Sequence, residues 1–173
     1  CTLLDIKNKV LPLTEDANVT LMAEMTDGSV IEGEASITKS DKKVKRLFYK
    51  DQPEVLEEVK VAIKEADLII FSMGSLYTSI FPHIISDDIR ESLDGVKTPI
   101  MYLCNIVTQP GETDDFTVSD HVKLINSYLG KHKLDVVIAS NSKISDAMAL
   151  RYANEEQKDP VKIDYPVLSK LDT

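Results

Sequence analysis

Apolar and polar positions change their period partway along this chain. Val19, Leu21, Ala23 and Met25 alternate with Thr20, Met22 and Glu24, a period of two that predicts a half-buried strand. Thr26-Asp27-Gly28 then reads as a hairpin loop with Gly28 left-handed. In that register Ala23 pairs with Ile31 and Val19 with Ala35 on the apolar face, while Thr20 meets Glu34 and Met22 meets Glu32 on the other. Residues 44–49 predict a further strand. Beyond Asp51-Gln52-Pro53 the period lengthens. Pro53 suits a first helical turn, and Val55, Leu56, Val59, Ile63 and Ala66 form one stripe.

From there the pattern alternates between nearly wholly apolar runs and helical stripes. The runs 68–71, 99–105 and 134–139 predict buried parallel strands. Between and after them come helices over 86–93, capped by Ser86 with Asp87 and Asp88 behind it, over 119–129, and over 145–156. Gly130 is placed to end the second in a left-handed cap, and 161–164 predicts a last strand. This order specifies an α/β fold: a doubly wound, mainly parallel sheet in three layers, with a β-hairpin extension at about 19–37. Residues 1–173 read as one domain, without internal repeats or low-complexity linkers.

Composition narrows the function classes. The apolar fraction of 43% and charged fraction of 28% are those of an ordinary globular protein. A net charge of −9 argues against nucleic acid and anionic membrane as partners, because the overall field repels polyanions. Lys42, Lys43, Lys45 and Arg46 crowd together, as a local basic patch or as a solvated strand edge. Two cysteines, Cys1 and Cys104, outline neither a disulfide framework nor a metal site, and Cys104 reads as a buried free thiol. With neither a membrane-length apolar run nor a secretion signal ahead of the first strand, the expected compartment is the cytoplasm.

Function in parallel sheets collects at the carboxyl ends of the strands, and three such ends carry polar chemistry. The first, 72–79, holds Gly74 with Ser72, Ser75, Thr78 and Ser79: a tight turn and helix start able to offer N–H and hydroxyl donors to a phosphate. It contains no lysine and neither nucleotide-binding glycine fingerprint. The second, 105–115, presents Asn105, Thr108, Gln109, Glu112 and Thr113. The third, 140–143, leads to Ser145, a ready helix cap.

Val10-Leu11-Pro12, Gly74-Ser75-Leu76-Tyr77-Thr78-Ser79, and Asn105 through Thr113 followed by Asp120-His121 resemble, in order, three motifs of the gluconeogenesis factor (YvcK-type) family, related to the CofD-like 2-phospho-L-lactate transferases. Asp27-Gly28 and Gly33-Glu34 fit the same pattern. Ser72-Met73 replaces the family's leading Gly-Pro, and its amino-terminal Gly-Gly-Thr-Gly loop has no counterpart, so the resemblance implies a fragment. It also implies a Rossmann-like sheet that binds a nucleotide-linked ligand: a UDP-sugar, in a regulatory protein of cell shape and wall synthesis on gluconeogenic carbon. The alternative is a magnesium-dependent transferase moving a phosphate-linked group from a nucleotide donor. A third reading is an interaction domain that has lost its ligand.

The implied ligand residues are Thr14, Asp16, Asn18, Gly74, Ser75, Tyr77, Thr78, Ser79, Asn105, Thr108, Gln109, Glu112 and Thr113, with Asp16 and Glu112 as candidates for magnesium. Each has a plainer alternative. Asp16 and Asn18 suit an ordinary turn, Tyr77 a core position, Asp120 a helix cap and His121 a bond within the helix start. No serine shows the base and orienting acid of a nucleophile. A homo-oligomer is compatible with the sequence, which names no protein partner.

Overall fold

The computed structural model describes residues 8–142, 144–156 and 158–171; Cys1 and Lys143 fall outside them. Two three-stranded sheets form. The antiparallel one has the order β2-β1-β3, from β1 (Leu21–Met25), β2 (Val30–Glu32) and β3 (Val44–Tyr49). Its hairpin takes the expected register: Ala23 faces Ile31, Met22 faces Glu32, and Gly28 has φ 84°. The ladder ends sooner than expected, however, and the Val19–Ala35 and Thr20–Glu34 pairs do not form. Gly33, at φ 86°, donates a last N–H to the Leu21 carbonyl and turns the chain into a short helix, α1 (Glu34–Thr38). Ile37 falls on the inward side either way, so alternation alone could not reveal the break.

One face of this sheet buries Leu21, Ala23, Met25, Leu47 and Tyr49. On the other, the Glu24 carboxylate takes Lys45 at 2.7 Å and Arg46 at 2.6 Å, and Lys42 meets Asp27 at 2.8 Å. These ion pairs place much of the basic cluster along a solvated strand edge.

Residues 53–56 stay extended, because the Leu56 N–H is taken by the Leu13 carbonyl and the Glu54 N–H by the Asp16 carboxylate. Pro53 therefore precedes the helix rather than opening it, and α2 spans Glu57–Glu65. The parallel sheet follows, in the order β4 (Ile69–Phe71), β5 (Ile100–Leu103), β6 (Val136–Ile138). Phe71 lies opposite Tyr102, and Tyr102 opposite Val137. A π-helical turn, Leu76–Ile80, runs directly into α3 (Phe81–Ile84), and α4 (Asp87–Asp94) follows. Between β5 and β6 lies α5 (Val118–Tyr128), opened by a capping box in which Thr117 and Asp120 bond each other's backbone N–H. After β6 come α6 (Asp146–Arg151), capped by Ser145, a π-helical turn Tyr152–Glu156, and α7 (Tyr165–Leu168). The expected strand at 161–164 is reduced to bridges on either side, Val107 with Pro160 and Thr117 with Lys162.

The core lies between the two sheets. Leu76, Phe81, Ile84, Ile100, Tyr102, Val122, Ile125 and Leu134 are buried there. Phe81 stacks on Tyr128 at 4.1 Å, and the Tyr128 hydroxyl accepts the Leu47 N–H at 3.0 Å. Tyr49 donates to the Pro82 carbonyl at 2.5 Å, and burial pushes its hydroxyl up to about 12. The helices thus join the antiparallel sheet to the parallel one. Cys104 is a buried free thiol that burial raises to about 11, which keeps it unreactive. Among the described residues no helix is long and apolar enough to cross a membrane. The α/β class, with a parallel sheet, helices and a hairpin extension, is therefore what the chain adopts.

Gly130 is not left-handed as expected; only Gly28, Gly33 and Gly111 have positive φ among the described glycines. Its role is close approach. A Cβ there would stand 2.5 Å from the Asp94 carboxylate, which accepts the Lys131 and His132 N–H groups. The end of α5 is closed instead by Lys133, whose ammonium bonds the Asn126 and Gly130 carbonyls. Gly130→Ala should cost about 1–3 kcal/mol in urea denaturation, the range of an overpacked contact. Added to Asp94→Ala it should cost almost nothing more, because the clash is gone.

His121 supplies a pH test. Its Nδ1 bonds the Thr117 carbonyl at 2.8 Å, its Nε2 is buried without a partner, and burial holds its pKa below the ordinary imidazole value. The unfolded chain therefore binds this proton more readily than the folded one. Stability is greatest above the unfolded value of about 6.5 and declines as the pH falls below it. The His83 pKa is lowered too and acts in the same direction, whereas Glu112, raised by burial, acts in the opposite one. Urea midpoints measured from pH 7.5 to 5.5 should fall with pH, and His121→Asn should flatten that slope.

Candidate functional site

The site is built from the turn that ends β4 and the loop that ends β5. Asn105 holds the turn from both sides: its Oδ1 accepts the Gly74 N–H at 3.1 Å and its Nδ2 donates to the Gly74 carbonyl at 2.8 Å. Neighbouring parallel strands thus have their carboxyl ends fastened by one side chain. Gly74 also sits against Ser79, where a Cβ would meet the Ser79 Cβ at 3.3 Å, so this glycine serves a close approach.

Ser75 caps the π-helical turn. Its Oγ accepts the Thr78 N–H at 2.9 Å and the Thr78 hydroxyl at 2.7 Å, and donates to Glu112 Oε2 at 2.6 Å. Gln109 Nε2 donates to the other carboxylate oxygen at 2.9 Å. Burial pushes the Glu112 carboxyl above the usual range; the Ser75 hydroxyl and Tyr77 N–H oppose that rise. The helical N–H end that a phosphate could have occupied therefore already faces a carboxylate of the chain itself.

Beside this network opens a cleft of about 510 Å³. Met73, Gly74 and Ser75 form one edge, and Asn105 to Gln109 another. The far wall, Ile144, Met148, Tyr152 and Lys158, comes from the segment after β6. Met73, Ile106 and Met148 turn apolar surface into the opening. Such a space suits a ligand with one flat or apolar part and one hydrogen-bonding part.

The expected ligand residues separate into three groups. Gly74, Ser75, Asn105, Thr108 and Gln109 line the cleft, and Thr78 and Glu112 brace it through Ser75. Tyr77 lies in the core, edge-on to Phe81 at 5.2 Å, and Ser79 packs behind Gly74. Thr113 is buried, its hydroxyl accepting the Gln109 N–H at 2.8 Å. Thr14 and Asp16 line a different hollow with Glu54 and Lys60, and Asn18 is exposed nearby in sequence. Of the two magnesium candidates, then, Asp16 is tied to the 53–56 segment and Glu112 to the cleft. Among the described residues no three His, Cys, Asp or Glu side chains gather to hold a metal ion. His121 and Asp120 belong to the start of α5.

Ile144, Met148, Tyr152 and Lys158 were not singled out from the sequence. The only signal was that the hydroxyl-rich stretch before Ser145 follows a strand end.

Over its whole length, residues 1–173, the chain matches the family described as 2-phospho-L-lactate transferase CofD. It is 38% identical over 169 residues to the gluconeogenesis factor of Bacillus subtilis, covering 97% of this chain and 53% of that protein. The gluconeogenesis factor of Halalkalibacterium halodurans is likewise 38% identical, over 97% of this chain and 52% of that one. A crystal structure of a UPF0052-family protein from Bacillus halodurans superposes with a TM-score of 0.90 at 37% identity, over 97% of this chain and 54% of that one. The chain spans about half the length of the relatives it matches.

The pair of hydrogen bonds between Asn105 and Gly74 gives a direct test of the site's construction. Asn105→Ala removes both bonds and leaves a half-buried carbonyl and N–H unpaired. It should cost about 1–3 kcal/mol, and hydrogen exchange should rise at Gly74 and Ser75 while β1–β3 stays unchanged.

Proposed function

Because the chain belongs to the CofD family, as a homologue of the gluconeogenesis factors, we propose that its strand-end cleft binds a nucleotide-linked small molecule of the UDP-sugar class. The role is regulatory, in cytoplasmic control of cell shape and wall synthesis on gluconeogenic carbon. The observation that carries this reading is the Asn105–Gly74 clamp beside an apolar-walled opening. It holds backbone donors and acceptors rigid where an α/β sheet offers its ligand site. The apolar wall of Ile106 and Met148 suits a base or sugar face, while Thr108 and Gln109 suit ribose and amide groups. Since Glu112 already faces the helical N–H groups, recognition rests on these neutral contacts more than on a phosphate cradle. The chain spans only half of a relative's length, so the reading concerns this chain's share of the site.

Thermal shift with UDP-N-acetylglucosamine, GDP and a deazaflavin tests it. At 100-fold excess over the dissociation constant, a UDP-sugar should stabilise by about 2.7 kcal/mol, raising the Tm by several degrees. Gly74→Val, which drives a side chain into Ser79, should abolish the shift. No response to any UDP-sugar, or an undiminished one in Gly74→Val, would overturn the assignment. Magnesium-dependent product formation from a guanylylated donor would move the function to a transferase.

A further inference from the structure

The two faces of the parallel sheet differ sharply. Ile100 and Tyr102, on one, are fully buried, and His121 of α5 lies over Tyr102 with ring centroids 6.3 Å apart. The register puts Ile70, Met101 and Val136 together on the other face, with Leu103 beside Ile138. There Ile70 is 50% exposed, Val136 40% and Ile138 51%, and Leu68, two residues before Ile70, is 41% exposed. Every strand residue on this face is apolar. A soluble sheet does not ordinarily leave such a surface in water.

The connections explain the asymmetry. Strands follow one another in the order β4-β5-β6, without reversal. Right-handed crossovers between successive neighbours deliver their helices to the same side. The α3–α4 segment and α5 must therefore share a face, and a second helical layer requires polypeptide from elsewhere. Met148 and Leu150 of α6 are themselves exposed, at 52% and 62%, so α6 does not spend its apolar side on this sheet.

We propose that the face formed by Leu68, Ile70, Met101, Leu103, Val136 and Ile138 is the docking surface for the part of a family-length polypeptide that these 173 residues do not span. The amount of chain is sufficient, since the match covers 53% of the Bacillus subtilis relative. The occupant is a helical layer with an apolar stripe, because only a helix or a sheet covers a sheet face, and helices are what parallel crossovers supply. The proposal does not depend on what the cleft binds.

Thiol labelling tests it. Ile70→Cys and Ile138→Cys are made in the 173-residue chain and in a chimera that carries this chain in place of the matching 169 residues of the Bacillus subtilis gluconeogenesis factor. Mass spectrometry assigns the labelled sites, and buried Cys104 reports that each protein is folded. Both new thiols should react rapidly in the chain alone and about tenfold or more slowly in the chimera. Equal rates in the two proteins would overturn the proposal. So would protection in the chain alone with a dimer in sedimentation velocity, which would give the face to a second copy.

Discussion

The burial of one segment, residues 76–85, underlies the rest of the architecture. Leu76, Phe81 and Ile84 leave essentially no surface exposed, and the segment touches both sheets. Phe81 reaches the antiparallel sheet through Tyr128, and Pro82 through the Tyr49 hydroxyl. At its amino end the same segment starts at Ser75, the residue that organises the cleft. Packing and site are thus continuous: what anchors the helix in the core also fixes where Gly74 and Ser75 stand. Burying a run of large side chains contributes about 1.5–3 kcal/mol for each, so the turn is held by far more than its own hydrogen bonds.

Strands and helices were legible where burial and period agree. The hairpin register followed from one apolar face and the left-handed Gly28, and the three parallel strands followed from nearly wholly apolar runs. Departures occurred where a backbone group had a tertiary partner that no local pattern reveals. Leu56 gives its N–H to Leu13, so α2 begins after Pro53. Gly33 ends a ladder that alternation would have continued. Gly130 was read as a conformational device, yet it makes room for a carboxylate 36 positions away in the chain, at Asp94.

The site was legible to the extent that it lies at strand ends. Gly74, Ser75, Asn105, Thr108 and Gln109 share one cleft because adjacent parallel strands deliver their carboxyl ends side by side. The core place of Tyr77 was the plainer of its two readings, and the structure takes it; what periodicity could not give was the separate hollow of Thr14 and Asp16. The wall from 144 to 158 was hidden for another reason: its residues are ordinary in type and acquire meaning only by facing the cleft.

The placement of Glu112 has a consequence for ligand approach. The Glu112 carboxylate stands beside the opening and Lys158 on its far wall, so the entrance carries a charge of each sign in a chain of net charge −9. Steering across the entrance is then local rather than long-range, because at physiological ionic strength the field of each charge reaches only about 8 Å. Ionic strength would therefore act on this cleft less than on a site whose charges are all lysines.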